Sequence, residues 1–296
     1  MTAADIFIAS LLADFARKVV LHPVDTMATR LQYAQTKPFH AKDQLLVGDA
    51  RAMVDMLQRP GELYRGLGTA LVGAVPVAVV YMPTYEFCSQ AVRAMPPSDL
   101  GIPLPAAQIA SIATGLACAL VRVPVTLVKS RLQLGLSATP LQAVGAALQA
   151  MGLRGLFIGL RATCVLDVVY ALVQFSALEQ VRAVGAVLSG GRGLTSTEDA
   201  LVGFLTGATT AVITEPLDVV RTRLQTQRAP GSGAGSVDFG YTGLADGLAK
   251  AARQEGLLAL WKGLLPRLLL KSVGSAIWYA AYMAARKALA AASGVA

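Results

Sequence analysis

Charged side chains are scarce in this chain. Asp, Glu, Lys and Arg make up 15% of its 296 residues and apolar residues 54%, and the mean hydropathy is positive. A soluble domain of ordinary composition carries about 25% charged residues, so the two soluble domains that length alone would allow give way to a chain whose apolar surface meets lipid. Cysteine is nearly absent too: Cys88, Cys118 and Cys164 stand far apart in apolar segments, without CxxC or Cys/His spacing. That excludes a disulfide framework and a zinc site and leaves packing as their role. Of the two histidines, His22 adjoins Pro23 and reads as a packing or interfacial residue, while His40 sits in a polar link. No nucleophile elbow, P-loop, metal-ligand cluster or dinucleotide fingerprint occurs, so the sequence predicts neither an enzyme nor a bound cofactor or metal.

The net charge of +8 comes without any RNA- or DNA-binding motif, and its Lys and Arg are dispersed. The excess therefore points to anionic lipid and metabolites and not to nucleic acid. The start, MTAADIFIASLLADFARK, lacks the basic region and cleavage site of a secretory signal, and Asp5 and Asp14 do not suit an acidic-poor transit peptide. Any organellar address is expected within the chain.

What the chain does have is an internal repeat. HPVDTMATRLQ ends at Gln32, VPVTLVKSRLQ at Gln133 and EPLDVVRTRLQ at Gln225, and Pro23, Pro124 and Pro216 are 101 and 92 residues apart. That period is too long for a helical solenoid and suits two membrane helices with a connection. A second echo follows each: ELYRG to Gly66, GLFIG to Gly159 and ALWKG to Gly263. The repeats divide the chain into 1–100, 101–192 and 193–296.

Each repeat opens on an apolar stretch (5–32, 105–133, 197–225) and closes on another (66–92, 159–187, 263–289). At 1.5 Å per residue each exceeds a hydrocarbon core of roughly 30 Å, which predicts an all-α membrane protein of six spans with both ends on one side. Amphipathic pieces are expected at 49–58, 141–151 and 244–255, and a flexible loop at 228–240. The prolines remove a helix hydrogen bond and kink the first helix of each pair. Gly203 and Gly207, and more mildly Ser111 and Gly115, read as close-approach spacings, from which Ser10 and Asp14 of the first repeat depart.

The three Pro-x-acid-x-x-base-x-Arg-x-Gln segments and their aromatic-basic-glycine echoes resemble the signature of the mitochondrial carrier family over nearly the whole chain. The resemblance implies a threefold pseudosymmetric bundle around one cavity in the mitochondrial inner membrane, transporting a small solute by alternating access. It also implies a matrix gate of inter-repeat ion pairs. Asp25 has Lys129 as partner, Thr126 offers Arg221 no charge, and Asp218 faces Ala28. The bracing glutamines Gln32, Gln133 and Gln225 are all present, as are Arg30, Arg131 and Arg223. The opposite, cytoplasmic gate survives in pieces: Glu86 without a base at Ser89, Glu179 with Arg182, and Arg286 after Met283, leaving Glu86 with Arg286 to close.

By the same resemblance, substrate contacts fall at Gly73 and Ala74, Leu166 and Asp167, and Leu270 and Lys271, with Lys18 as a further cavity position. Charge inside a membrane is costly and marks function, so Lys18, Asp167 and Lys271 carry most weight. The competing reading has Lys18 and Lys271 neutralised by Asp14 and Asp167, with Arg17 and Arg122 structural. Tyr64, Phe157 and Trp261 read as interfacial anchors, and the helix starts at Gly66, Gly159 and Gly263 as lipid phosphate sites, as for cardiolipin in the family. ALVRVPVTLVKSRLQ and VLDVVYALVQF are most similar to S-adenosylmethionine carriers, although Leu166-Asp167 and Lys18 depart from that subfamily. Two functions stay open at this point: a carrier of a small anionic or zwitterionic solute, S-adenosylmethionine included, or a carrier-derived structural subunit of a larger inner-membrane complex.

Overall fold

In the computed structural model the described residues are 3–34, 45–94, 106–188, 196–227 and 237–292, and among them all regular structure is helical. The helices are α1 (Ala3–Tyr33), α2 (Leu45–Leu57), α3 (Pro60–Leu63), α4 (Leu67–Ala94), α5 (Ala106–Gln133), α6 (Pro140–Met151), α7 (Leu160–Leu188), α8 (Ser196–Thr226), α9 (Leu244–Gln254) and α10 (Leu264–Ala292). Short 3-10 turns at Gly152–Phe157 and Leu257–Trp261 precede α7 and α10. Of the 228–240 loop, only residues 237–240 lie among the described residues.

The six long helices, α1, α4, α5, α7, α8 and α10, form a closed ring in chain order, with α10 packing back on α1. The most extensive contacts, α4 on α5, α7 on α8 and α10 on α1, join the end of one two-helix unit to the start of the next. Each unit alone leaves an apolar face bare, so the units complete one another. Pro23, Pro124 and Pro216 lie inside unbroken helices, as do Pro76 and Pro83 of α4. Three helical stretches, Pro60–Ala94, Gln108–Gln133 and Pro140–Leu188, are long and apolar enough to cross a membrane. Val72, Phe87, Val187 and Leu188 lie largely exposed on long helices, as a lipid-facing surface requires.

The short helices gather at the end where the proline motifs finish. Ala143 and Ala147 of α6 are buried against Leu127, Val128 and Leu132 of α5. Ala251 of α9 and Leu260 are buried with Val220 and Leu224 of α8, Ala162 of α7, and Phe239 and Tyr241. Thr139 caps α6 by accepting from the Gln142 amide.

Close helix approach is not where the small-residue spacings suggested. A Cβ added at Gly203 or Gly115 meets nothing within 4 Å, and at Gly207 only the Lys271 side chain at 3.9 Å. The tight crossing is at Gly73 of α4, where a Cβ would collide with Val125 of α5. The reason is register: the spacing identifies small residues, but only the rotation of each helix decides which of them faces a neighbour.

Candidate functional site

The proline end of the ring is closed by a polar layer built from the three glutamines. Gln133 donates to Asp25 (2.7 Å) and Thr26 (3.2 Å) and accepts from Thr29 (3.1 Å), while Lys129 pairs with Asp25 at 2.5 Å. Gln32 donates to Glu215 and Asp218, both at 3.1 Å, and accepts from Thr222 at 2.8 Å. Among the described residues Gln225 donates to Thr163 alone, at 3.4 Å, and Arg221 donates to the same hydroxyl at 3.1 Å.

Three glycines complete this layer. Gly66, Gly159 and Gly263 have φ of 83°, 80° and 84°, a left-handed turn that glycine alone enters without penalty. A Cβ on Gly159 would collide with Gln225 and one on Gly263 would press on Gln32, whereas one on Gly66 would press on the Lys129 carbonyl and only touch Gln133. Each glycine thus seats the glutamine of the next unit, and the last seats that of the first.

The arginines are less regular. Arg223 is fully buried and donates to Glu255 (2.6 Å), Tyr241 (3.1 Å) and the Gln32 carbonyl (2.9 Å). Arg30 donates to the Gln133 carbonyl (3.0 Å) and pairs with Glu62 (3.2 Å). Arg131 is buried, and among the described residues no carboxylate pairs with it; Met151 stands eight residues before Gly159, where Glu255 stands before Gly263.

Asp218 does not simply face Ala28. Arg267 of α10 lies 3.2 Å from it and Arg221 3.1 Å, and Arg267 also bonds buried Glu215 at 3.0 Å and Thr214 at 2.9 Å. Sequence reading missed Glu215 and Arg267. The signal was there: both are ionisable residues inside apolar helices, where a charge needs a partner.

Above this layer lies a cavity of about 580 Å³ lined by Asp14, Lys18, Gly73, Ala74, Arg122 and Lys129, among others. A second cavity of about 250 Å³ shares Lys18 and Lys129 and reaches Asp25, Leu270 and Lys271. Lys18 pairs with Asp14, which also takes Arg17 at 2.6 Å. Asp167 pairs with Arg122 and not with Lys271. Lys271 instead donates to the Tyr170 hydroxyl at 2.9 Å and lies 4.1 Å from that ring's centre. Arg17 and Arg122, read as structural from sequence, therefore belong to the cavity wall, whereas Leu166 is buried in packing. A lysine on α10 cannot be matched to an acid on α7 by counting residues, because the pairing depends on how the two helices are turned.

At the far end, Glu86, Glu179 and Arg182 are exposed, and among the described residues none of them forms an ion pair. The Arg286 side chain lies outside the described residues. Tyr81 and Tyr85 stack at 6.2 Å on the wall between cavity and far end.

The three glycine turns differ on the outside of the ring. Gly66 borders a pocket of about 470 Å³ with Arg65, Thr69 and Ser137, and Gly159 one of about 560 Å³ with Arg154, Arg161 and Thr242. The Gly263 turn is different: its amide donates to Asp49 of α2 at 3.1 Å, so the expected lipid phosphate position is held by the protein's own carboxylate. Burial pushes the Asp49 carboxyl above its ordinary value despite that bond. Trp261 is anchored to α8, its indole donating to the Val212 carbonyl at 2.9 Å.

The family described as Mitochondrial carrier protein matches residues 1–95, 102–185 and 192–293. The chain belongs to the mitochondrial carrier family. Membership makes it a multi-pass transport protein of the mitochondrial inner membrane. Among its relatives, this carrier is 33% identical to the probable S-adenosylmethionine carrier 2, chloroplastic, of Arabidopsis thaliana over 269 residues, 90% of this chain and 69% of that protein. It is 32% identical to the S-adenosylmethionine carrier 1, chloroplastic/mitochondrial, of the same plant over 96% of this chain and 78% of that one. With the mitochondrial S-adenosylmethionine carrier protein of Mus musculus the identity is 32% over 96% of this chain and 95% of the relative.

Proposed function

We propose that this carrier moves a small anionic or zwitterionic solute by alternating access, with S-adenosylmethionine the first substrate to test. In this reading all six long helices span the membrane, and the repeat units are 1–100, 101–192 and 193–296. The substrate binds among Lys18, Gly73, Ala74, Asp167 and Lys271, with Leu166 and Leu270 shaping the cavity. Asp25, Lys129, Asp218, Arg221 and the three glutamines act as the matrix gate; Glu86, Glu179, Arg182 and Arg286 act as the cytoplasmic gate.

The observation that carries the proposal is the asymmetry along the ring axis. A charged cavity is shut at the proline end by bonds that join different units, while the far-end charges Glu86, Glu179 and Arg182 stand exposed. A state closed on one side only is half of an alternating-access cycle. Similarity to S-adenosylmethionine carriers over nearly the whole chain supports that substrate. Anionic phospholipid, cardiolipin first, is expected at the Gly66 and Gly159 turns, where arginines and helix amides meet open pockets. The structural-subunit alternative draws no support: Gln32, Arg267 and Thr163 take up the closure that missing ion pairs would leave open.

The test is uptake of labelled S-adenosylmethionine into cardiolipin-containing liposomes carrying the purified protein. Saturable uptake that disappears in Lys18→Ala and Asp167→Ala is expected. Folded protein that takes up no solute from a panel of nucleotides, amino acids and S-adenosylmethionine would end the transport reading.

A further inference from the structure

We infer that Arg131 is the centre of a phosphate-binding site at the proline end of the second unit, where the other two units supply a carboxylate of their own. The site is separate from the transport cavity and goes beyond the transport reading. Arg30, Arg131 and Arg223 each stand two residues before the glutamine of their repeat. Arg30 donates its Nε to the Gln133 carbonyl and pairs with Glu62; Arg223 donates its Nε to the Gln32 carbonyl and pairs with Glu255. Arg131 is only 8% exposed, and among the described residues it makes neither a hydrogen bond nor an ion pair. A covered guanidinium without a counter-charge is costly, so this one calls for an anion from outside the chain.

The second unit has lost both places from which an acid could come. Gly155 stands four residues before Gly159, as Glu62 stands before Gly66. A Cβ there would meet the Ala147 carbonyl at 2.1 Å, so packing excludes any side chain. Met151 stands eight before Gly159, as Glu255 stands before Gly263, and its side chain is half exposed. The deficit extends beyond these two positions. Between the bracing glutamine and the glycine turn the first unit has Asp43, Asp49, Asp55 and Glu62, the third has Asp238, Asp246 and Glu255, and the second has no acid at all. From residue 100 to 166 the only charges are Arg122, Lys129, Arg131, Arg154 and Arg161. Asp167 takes Arg122 and Asp25 takes Lys129, which leaves three arginines at this end without an acid in their own segment.

The chemistry of Arg131 names the ligand. A guanidinium offers five N–H donors in a planar fork that fits the oxygens of carboxylate or phosphate. A carboxylate fills two of them, whereas a tetrahedral phosphate brings more oxygens and more charge to a donor set that is wholly unspent. None of the Arg131 nitrogens is a sealed, unsatisfied donor of the kind that Arg17 and Arg122 hold, so an anion reaches them from the surface. Arg131 lines neither the Gly66 pocket nor the Gly159 pocket, so this position is distinct from the lipid sites expected there. The phosphate comes either from solution or from a lipid headgroup.

The test follows the thermal midpoint of the purified full-length protein in one detergent, titrated with sodium phosphate at constant ionic strength. Phosphate at about five times its dissociation constant is expected to raise the midpoint by about 2–4 °C. Arg131→Gln is expected to abolish the rise. Met151→Glu is expected to raise the phosphate-free midpoint and to abolish the response as well, because the restored carboxylate occupies the place of the anion; a variant that merely folds badly cannot do this. Arg253→Gln, which removes an exposed arginine from the same end, is expected to keep the full response. A second titration, with cardiolipin and no phosphate, separates the sources. A rise with phosphate that Arg131→Gln abolishes assigns a soluble anion; no rise with phosphate, but one with cardiolipin that Arg131→Gln reduces, assigns a lipid headgroup. A rise that Arg131→Gln leaves intact with both ligands, or that Arg253→Gln lowers as much, overturns the inference. No rise with either ligand overturns it too. Uptake plays no part in these readings, so failure of the transport reading and failure of this one are told apart.

Discussion

At the scale of single residues, burial and partner decide what each charge does. Asp49 is the clearest case, since its carboxylate holds the amides that open α10 while burial raises its pKa above 3.8. An acid whose folded pKa is raised binds more protons folded than unfolded between the two values. Stability is therefore lost as pH rises through that window and is fully present below the unfolded value. Lys262, whose positive charge lies near Asp49, is itself pushed down by burial. Asp49→Asn retains an acceptor for the Gly263 amide and removes the titration. The wild-type thermal midpoint minus that of Asp49→Asn is expected to grow more positive as pH falls from 7 toward 4. A flat difference across that range would show that the Asp49 carboxyl is not desolvated.

At the scale of elements, the six long helices were legible as apolar stretches to within a few residues, because composition is written locally along the chain. Their rotations were not legible. Gly203 and Gly207 have the spacing of a helix crossing and no crossing, whereas Gly73, in no such motif, lets Val125 of α5 sit against α4. Gly73→Ala is expected to cost about 1–3 kcal/mol through overpacking, with most of it recovered in Gly73→Ala/Val125→Ala. Gly203→Ala, into open space, is expected to be neutral or stabilising by up to about 1 kcal/mol from helix propensity. Thermal unfolding of the four proteins in one detergent distinguishes these outcomes. If Gly203→Ala proves the more damaging, the crossing lies at the glycine motif after all.

At the scale of the whole molecule, threefold repetition sets the frame, and the departures from it set the strength of each joint. The joint between first and second units has an ion pair and Gln133. The joint between third and first has Gln32 between two carboxylates neutralised by Arg267. The joint between second and third rests on Thr163 alone among the described residues for its glutamine and arginine contacts. Arg267→Leu leaves buried Glu215 without its cation and is expected to destabilise by about 3–5 kcal/mol, measured as a lowered thermal midpoint. Arg267→Leu/Glu215→Gln removes the stranded charge and is expected to recover much of that loss. No recovery would mean that the arginine matters through packing. The sequence by itself determined the membrane class, the three repeats, the helix positions and the glutamine–glycine pattern, because hydropathy and recurrence are written locally along the chain. Only the tertiary structure decided that Asp167 takes Arg122, that Arg267 replaces the partner Ala28 cannot supply, and that Asp49 fills the Gly263 turn. Those pairings join residues 45 to 214 positions apart, and what brings them together is the rotation and closure of the ring, which no local pattern encodes.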